Sequence, residues 1–347
     1  MKSLASDNYA GAIPEVIEAI QTENRQHAPA YGNDATTKRL EEQFKALFQR
    51  PLEMHLTFNG TGANLMGLSC MVHPYSAVLC AETAHIYVDE STAPETLLGC
   101  RLIPLNINKA GKLTPTVIEH AIKRQGDLHH PQIHVLSITQ PTEYGTVYTL
   151  DELKAIKAIT QKHKLFLHID GSRIFTAATS LGCNLKALID ASEADVLSLG
   201  GTKAGMLYGE AVLIFNETIH NSPFFHKRSM QLASKNRFIA AQFLALLHHD
   251  TWKKYSSTTI KRAKQLAACL SEYPIISITK PVEANAVFAI LPQRWIKPLQ
   301  AILPFYVWDE SNDEVRFMCS FDTTEAEINL FDKKLAELSK ASIESNL

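Results

Sequence analysis

The sequence predicts an α/β protein: a large domain with a mostly parallel sheet of roughly seven strands between helices, then a smaller α+β domain at the C-terminal end. Three observations predict it. Short apolar runs alternate with helix-like segments over the first two-thirds of the chain. That rhythm changes after about residue 220, and 347 residues is length for about two domains.

The expected strands are 54–58, 77–80, 101–105, 133–138, 165–170, 196–199 and 211–215, with helices between them at 34–48, 62–72, 114–123 and 150–163. The last helix carries a capping box: Thr149 and Glu152 can each satisfy the other's free backbone donor. Apolar Leu153, Ile156 and Ile159 then follow on one face. Further on, one long helix is expected over 222–249 and another over 258–271. Short strands follow at 275–278, 286–290, 306–308 and 315–318, and a closing helix at 324–338. The division expected is an N-terminal segment, 1–20, that contributes to the site, a large domain over 21–250, and a small domain over 251–347.

The chain is 46% hydrophobic and 20% charged, with 34 basic against 36 acidic residues. That balance gives no footprint for nucleic acid or an acidic membrane surface. The six cysteines form no C-x-x-C pair and mostly sit among apolar residues, as buried thiols in a reducing compartment do. The first residues lack a signal peptide's apolar core, and no run approaches the ~20 apolar residues of a membrane span. A cytoplasmic location is expected.

The stretch Leu197-Ser198-Leu199-Gly200-Gly201-Thr202-Lys203-Ala204-Gly205 places one lysine among small residues. Small neighbours let a flat, bulky group approach an amine, and a deprotonated lysine forms a Schiff base with an aldehyde. Pyridoxal phosphate (PLP) is the usual aldehyde, and it also needs an anion at its ring nitrogen, a phosphate cradle and a ring platform. Asp170 ends an apolar strand, where ligands of parallel sheets bind. Its plain alternative is a turn or N-cap aspartate, since Gly171 and Ser172 follow. Gly60-Thr61-Gly62 precedes a helix and can offer free N–H groups to a phosphate, or is simply a tight turn. His85 follows the strand ending at Cys80 and can stack on a ring and carry protons, or merely pack.

In order and spacing these pieces resemble the PLP-dependent threonine aldolases of the β-eliminating lyase group, with an aspartate-aminotransferase-like fold. The likeness runs from Ser6-Asp7 through Ala30-Tyr31-Gly32-Asn33-Asp34, Gly60-Thr61-Gly62-Ala63-Asn64 and Glu82-Thr83-Ala84-His85-Ile86. It continues through Ile169-Asp170-Gly171-Ser172-Arg173 and Gly201-Thr202-Lys203 to Arg316-Phe317-Met318-Cys319-Ser320-Phe321. It is nearest to the bacterial low-specificity L-threonine aldolases. The resemblance implies Lys203 as cofactor anchor, Asp170 at the ring nitrogen, Gly60, Thr61 and Gly62 at the phosphate and His85 on the ring. It implies Ser6, Arg173 and Arg316 at the substrate carboxylate. Arg228 and Lys235 are expected to contact a neighbouring subunit's phosphate, or to be solvated helix charges, and Tyr31 to reach a neighbour's site. A homo-oligomer, dimer or tetramer, follows.

The implied reaction cleaves L-threonine or L-allo-threonine to glycine and acetaldehyde, with His85 taking the hydroxyl proton and Glu143 as the alternative base. Glu143 stands where some members have histidine, and the residues after Arg316 also depart from the common pattern. Other readings are β-elimination or transamination on the same scaffold, and a PLP-binding homologue with little catalysis. A metal enzyme using His129-His130 or His168 with Asp170 lacks a set of ligands at familiar spacing.

Overall fold

A computed structural model describes residues 2–344, with side chains to residue 341. Met1 and residues 345–347, the outer ends of the expected terminal segments, lie outside the described residues.

Seven strands form the large sheet: β1 (Glu53–Thr57), β2 (Ser76–Ala81), β3 (Arg101–Leu105), β4 (Gln132–Thr139), β5 (Phe166–Gly171), β6 (Val196–Gly200) and β7 (Glu210–Ile214), in the order β1-β7-β6-β5-β4-β2-β3. The pairs β3/β2, β2/β4, β4/β5 and β5/β6 are parallel. Strand β7 is antiparallel to both neighbours, so β1 runs the same way as β6. Each expected strand forms, within two residues at either end.

Side-chain alternation explains the two-faced core. Ala77, Leu79 and Leu213 pack with Phe44, Phe48 and Phe243 on one face. Their neighbours Val78, Cys80, Val212 and Ile214 pack with Met66 on the other. Strands buried on both faces read as continuous apolar runs, which is why they were legible. The second sheet is antiparallel, with β8 (Ser277–Ile278), β9 (Ala286–Ile290), β10 (Tyr306–Asp309) and β11 (Glu314–Met318) in the order β10-β11-β9-β8. Its core holds Trp295, Phe317 and Phe331, and Leu4 joins it from the N-terminal segment. Helix Thr251–Ser271 serves both cores, giving Trp252 to the first and Ala263, Leu266 and Leu270 to the second.

The capping box forms as expected. Thr149 Oγ1 accepts the Glu152 N–H at 3.2 Å, and Glu152 Oε2 accepts the Thr149 N–H at 2.7 Å. The single helix expected over 222–249 does not. It divides into Ser222–Arg228 and Arg237–Leu247, because Met230 takes a left-handed backbone (φ 61°) that no helix continues through. His249 and Asp250 are also left-handed, and the next helix starts at Thr251 rather than 258. Helices Pro14–Glu23, Ile174–Ser180, Leu185–Ser192 and Gln293–Gln300 were not foreseen. Among the described residues no helix is long and apolar enough to cross a membrane. The six cysteines are free: Cys80, Cys100 and Cys319 are buried, and the other three half-buried.

Candidate active site

The chain leaves the C-terminal ends of β1, β2, β4, β5 and β6 at one edge of the large sheet. Open α/β sheets bind ligands there. The register aligns Thr57, Glu210 and Gly200 across three strands at this edge, and pairs Asp170 with Thr139 and Ser198. Asp170, His85, Glu143, Gly60 and Lys203 all stand on or just beyond these ends.

Asp170 is buried. Its Oδ1 accepts the Ser172 N–H at 2.9 Å and its Oδ2 accepts from Asn64 Nδ2 at 2.9 Å. Burial pushes the carboxyl up, but the Asn64 bond, the Lys203 charge and the Ser172 N–H outweigh it and hold it below the ordinary range. The turn expected as its plain alternative is therefore also present: one oxygen caps the turn, and the other faces Asn64.

His85 begins a short helical turn, His85–Val88, after β2. Its Nδ1 lies 2.8 Å from Glu90 Oε1, and its backbone N–H donates to Glu143 at 3.3 Å. Glu90 raises the imidazole's pKa, burial opposes this, and the charges of Asp170 and Glu143 add to the rise. Burial and the Asp170 charge push the Glu143 carboxyl up, against Arg173, Lys203 and His85.

Lys203 sits on the turn Thr202–Ala204. The expectation that the surrounding glycines make room for a ring is corrected by the packing. A Cβ at Gly200 would sit within 3.0 Å of the Ser172 backbone, and one at Gly201 within 3.0 Å of Met206 and the Gly209 carbonyl. Gly205 has φ 112°, where a side chain would strain the backbone. These glycines let the lysine turn close onto the protein. Glu210 fastens it by accepting the Gly201 N–H. Burial pushes the Glu210 carboxyl up to about 7, against the Thr202 and Gly201 donors and the Lys203 charge.

Helix Gly60–Ser69 is capped by Asn59, whose Oδ1 accepts the Gly62 N–H at 2.8 Å. Among the described residues the N–H groups of Gly60 and Thr61 have no partner, and a Cβ at Gly60 would meet nothing within 4 Å. Space beside Gly62 is different: Gln231 occupies it, reaching across to accept the Phe58 N–H at 3.0 Å. The open part of this helix start is Gly60-Thr61.

Arg173 was expected at the substrate carboxylate, and the structure gives it a resident partner. Its Nε and Nη2 engage Asp7 Oδ2 and Oδ1 at 2.6 and 3.0 Å, a bidentate pair that Asn285, just before β9, joins at 3.0 Å. Arg316, on β11, lies 5.0 Å from the Trp308 ring centre and 5.6 Å from that of Tyr306. Its Nη2 contacts the Ala5 carbonyl at 3.4 Å, while its Nε is buried without a partner among the described residues. Burial and then the Arg173 charge lower its pKa, so an anion beside Arg316 would relieve it, whereas Asp7 already holds the Arg173 pKa up. Ser6 stands beside them and caps Asn8.

Among the described residues Tyr31, Arg228 and Lys235 make no hydrogen bond, ion pair or ring contact with Asp170, His85, Glu143 or Lys203. All three are exposed; Tyr31 N–H bonds Ser234 at 2.9 Å, and Lys227 lies 5.3 Å from its ring centre. His168, weighed as a metal ligand, has both nitrogens occupied, by Ser137 at 2.8 Å and Ser198 at 3.0 Å; burial lowers its pKa to about 4. Among the described residues no cluster of three His, Cys, Asp or Glu side chains fit for a metal is present.

Sequence reasoning missed Asp7, Asn64, Glu90, Glu210 and Gln231. Two carried a signal. Asn64 stands one helical turn after Gly60, and Glu210 is a lone acid opening an apolar strand. Glu90 and Gln231 carried none.

A lysine turn and a buried aspartate on neighbouring strand ends of a mostly parallel sheet mark an α/β enzyme of Schiff-base chemistry. Residues 3–293 match the Beta-eliminating lyase family, and the chain belongs to that family. It is 42% identical to a low specificity L-threonine aldolase of Pseudomonas aeruginosa over 325 residues, 93% of each chain. It is 40% identical to another from a Pseudomonas species, over 94% of this chain and 95% of that one. A threonine aldolase structure from Leishmania major superposes with a TM-score of 0.92 at 28% identity, covering 98% of this chain and all of the other.

The family depends on PLP, and the residues present fit that group. Gly60 and Thr61 offer unpaired N–H groups at a helix start, where an anion is favoured. Asp170 is held ionised by its neighbours, as a partner to a protonated ring nitrogen requires. Lys203 stands on the turn after the strand next to Asp170.

Proposed function

We propose that the protein cleaves L-threonine and L-allo-threonine to glycine and acetaldehyde. The observation that carries this reading is Arg316, whose Nε is buried without a partner among the described residues and which feels the charges of Arg173 and Glu143 at this edge: an amino acid's carboxylate is the ligand it calls for. PLP, when bound, supplies an electron sink at the substrate's Cα.

The chain's own residues do the rest. Lys203 anchors the cofactor, Asp170 holds its ring nitrogen protonated, Gly60 and Thr61 take its phosphate and Gly62 shapes that helix start. Arg316 holds the substrate carboxylate bidentately and fixes which bond at Cα is aligned for cleavage; misplacing it can cost ~10²-fold in rate. Arg173, neutralised by Asp7, and Ser6 shape the same end. His85 takes the β-hydroxyl proton at its outer nitrogen. Glu143 anchors the His85 backbone by accepting its N–H.

We further infer a cytoplasmic homo-oligomer in which residues 1–20 complete the site, 21–250 hold the cofactor and 251–347 form the small domain. In it, Tyr31, Arg228 and Lys235 serve a neighbouring subunit's site. Their exposure supports that reading. The test is product analysis on the PLP-loaded protein. Equal yields of acetaldehyde and glycine are expected; 2-oxobutanoate with ammonia would move the reaction to β-elimination.

A further inference from the structure

Asn64 places its side-chain nitrogen 2.9 Å from Glu90 Oε1 and 2.9 Å from Asp170 Oδ2. Only a donor is stable between two carboxylate oxygens, so this atom is the NH2 nitrogen and both oxygens accept. Glu90 Oε1 also lies 2.8 Å from His85 Nδ1. An accepting oxygen there means that Nδ1 carries the hydrogen, which leaves Nε2 as the basic nitrogen. The Glu90 side chain is fully enclosed, and its second oxygen has no partner among the described residues. Burial pushes the Glu90 carboxyl up and the Asp170 charge adds to the rise, while the His85 and Asn64 bonds act against it.

We propose that Glu90 is a positioning residue of the reaction, fixing His85 in the Nδ1–H form so that Nε2 receives the substrate's hydroxyl proton, with Asn64 tying Glu90 to Asp170. The inference rests on His85 being the base. The step balances: the hydroxyl proton moves to Nε2, the O–H electron pair becomes the second C–O bond of the aldehyde, and the Cα–Cβ pair stays with Cα. The positive charge then on His85 faces Glu90, Asp170 and Glu143; Lys203 faces the latter two. The His85 pKa, raised chiefly by the Glu90 bond, is consistent with this arrangement.

The test is histidine nitrogen NMR on the ¹⁵N-labelled holoenzyme across pH, with His85 assigned by the signal lost in His85→Asn. Nδ1 should stay protonated while Nε2 titrates. Glu90→Gln keeps the size and removes the charge; it should lower the His85 midpoint by about one pH unit. The acid limb of kcat/KM should move with it, and kcat should fall ~10²-fold. Glu90→Asp should restore part of the midpoint shift. An unchanged midpoint in Glu90→Gln, or Nε2 as the protonated nitrogen in the wild type, overturns the proposal even if activity falls. The NMR result is independent of turnover. If the wild type releases no acetaldehyde while the Glu90→Gln midpoint still moves, the aldolase reading fails and the Glu90 pairing stands.

Discussion

Asp170, Asn64, Glu90 and His85 are joined by three hydrogen bonds of 2.8–2.9 Å beneath the sheet edge, whereas Tyr31, Arg228 and Lys235 stand exposed around the break between two helices. The first group is a finished device within one chain. Among the described residues the second makes no hydrogen bond, ion pair or ring contact with it. The difference teaches that the chemistry of this fold is fixed by strand ends, where the sheet register sets positions to within a side chain. The rim depends on a left-handed residue and on whatever packs against it.

Changes in the floor should therefore be severe and changes at the rim mild. Lys203→Ala should reduce acetaldehyde release from L-threonine to background; a variant near the wild-type rate would break the comparison outright. Arg316→Lys should lower kcat/KM by ~10²-fold, through kcat as well as KM, because an ammonium cannot grip a carboxylate with two parallel bonds and no longer fixes which bond is aligned. Arg173→Lys sharpens this. Its fork is spent on Asp7, so that change should lower the urea midpoint more than it raises KM.

Glu210 gives a pH test of the lysine turn. Its folded pKa of about 7 lies above its ordinary value of 4.5, so between these values the folded state holds a proton that the unfolded chain has lost. Its contribution to stability is full below the lower value and is lost as pH rises through the higher one. Glu210→Gln should remove that decline. Its stability relative to wild type should improve by about 3 kcal/mol from pH 4 to pH 8, read from urea unfolding at the two pH values. A constant difference would place the Glu210 titration elsewhere. The mildest effect belongs to the rim: Arg228→Ala should weaken PLP retention on dilution by about tenfold, the worth of one exchanged phosphate contact at ~1.4 kcal/mol. An effect as large as that of Lys203→Ala would erase the distinction between rim and floor.

Much of the floor was legible because an apolar run that ends in a polar residue marks a strand end, as at Leu167-His168-Ile169-Asp170. The helix 150–163 was legible to the residue because its cap and its apolar stripe agree. The helix expected over 222–249 failed because its residues keep helical composition through a break between Arg228 and Arg237 in which Met230 is left-handed. The pair Asn64 and Glu90 was hidden for a different reason. They lie 26 residues apart, and Asn64 and Asp170 lie 106 apart, so only the sheet order brings them together. Asp7 was named with Ser6, yet its grip on Arg173 across 166 residues needed the fold to be seen.

The account turns on Lys203 as the residue that holds the cofactor beside Asp170. Borohydride reduction of the PLP-loaded protein, followed by proteolysis and mass spectrometry, tests this directly by fixing the cofactor to whichever lysine carries it. The account predicts the modification on the peptide containing Lys203 and its absence in the Lys203→Ala variant. Modification of another lysine in the wild type, or none in a protein that binds PLP, would contradict it.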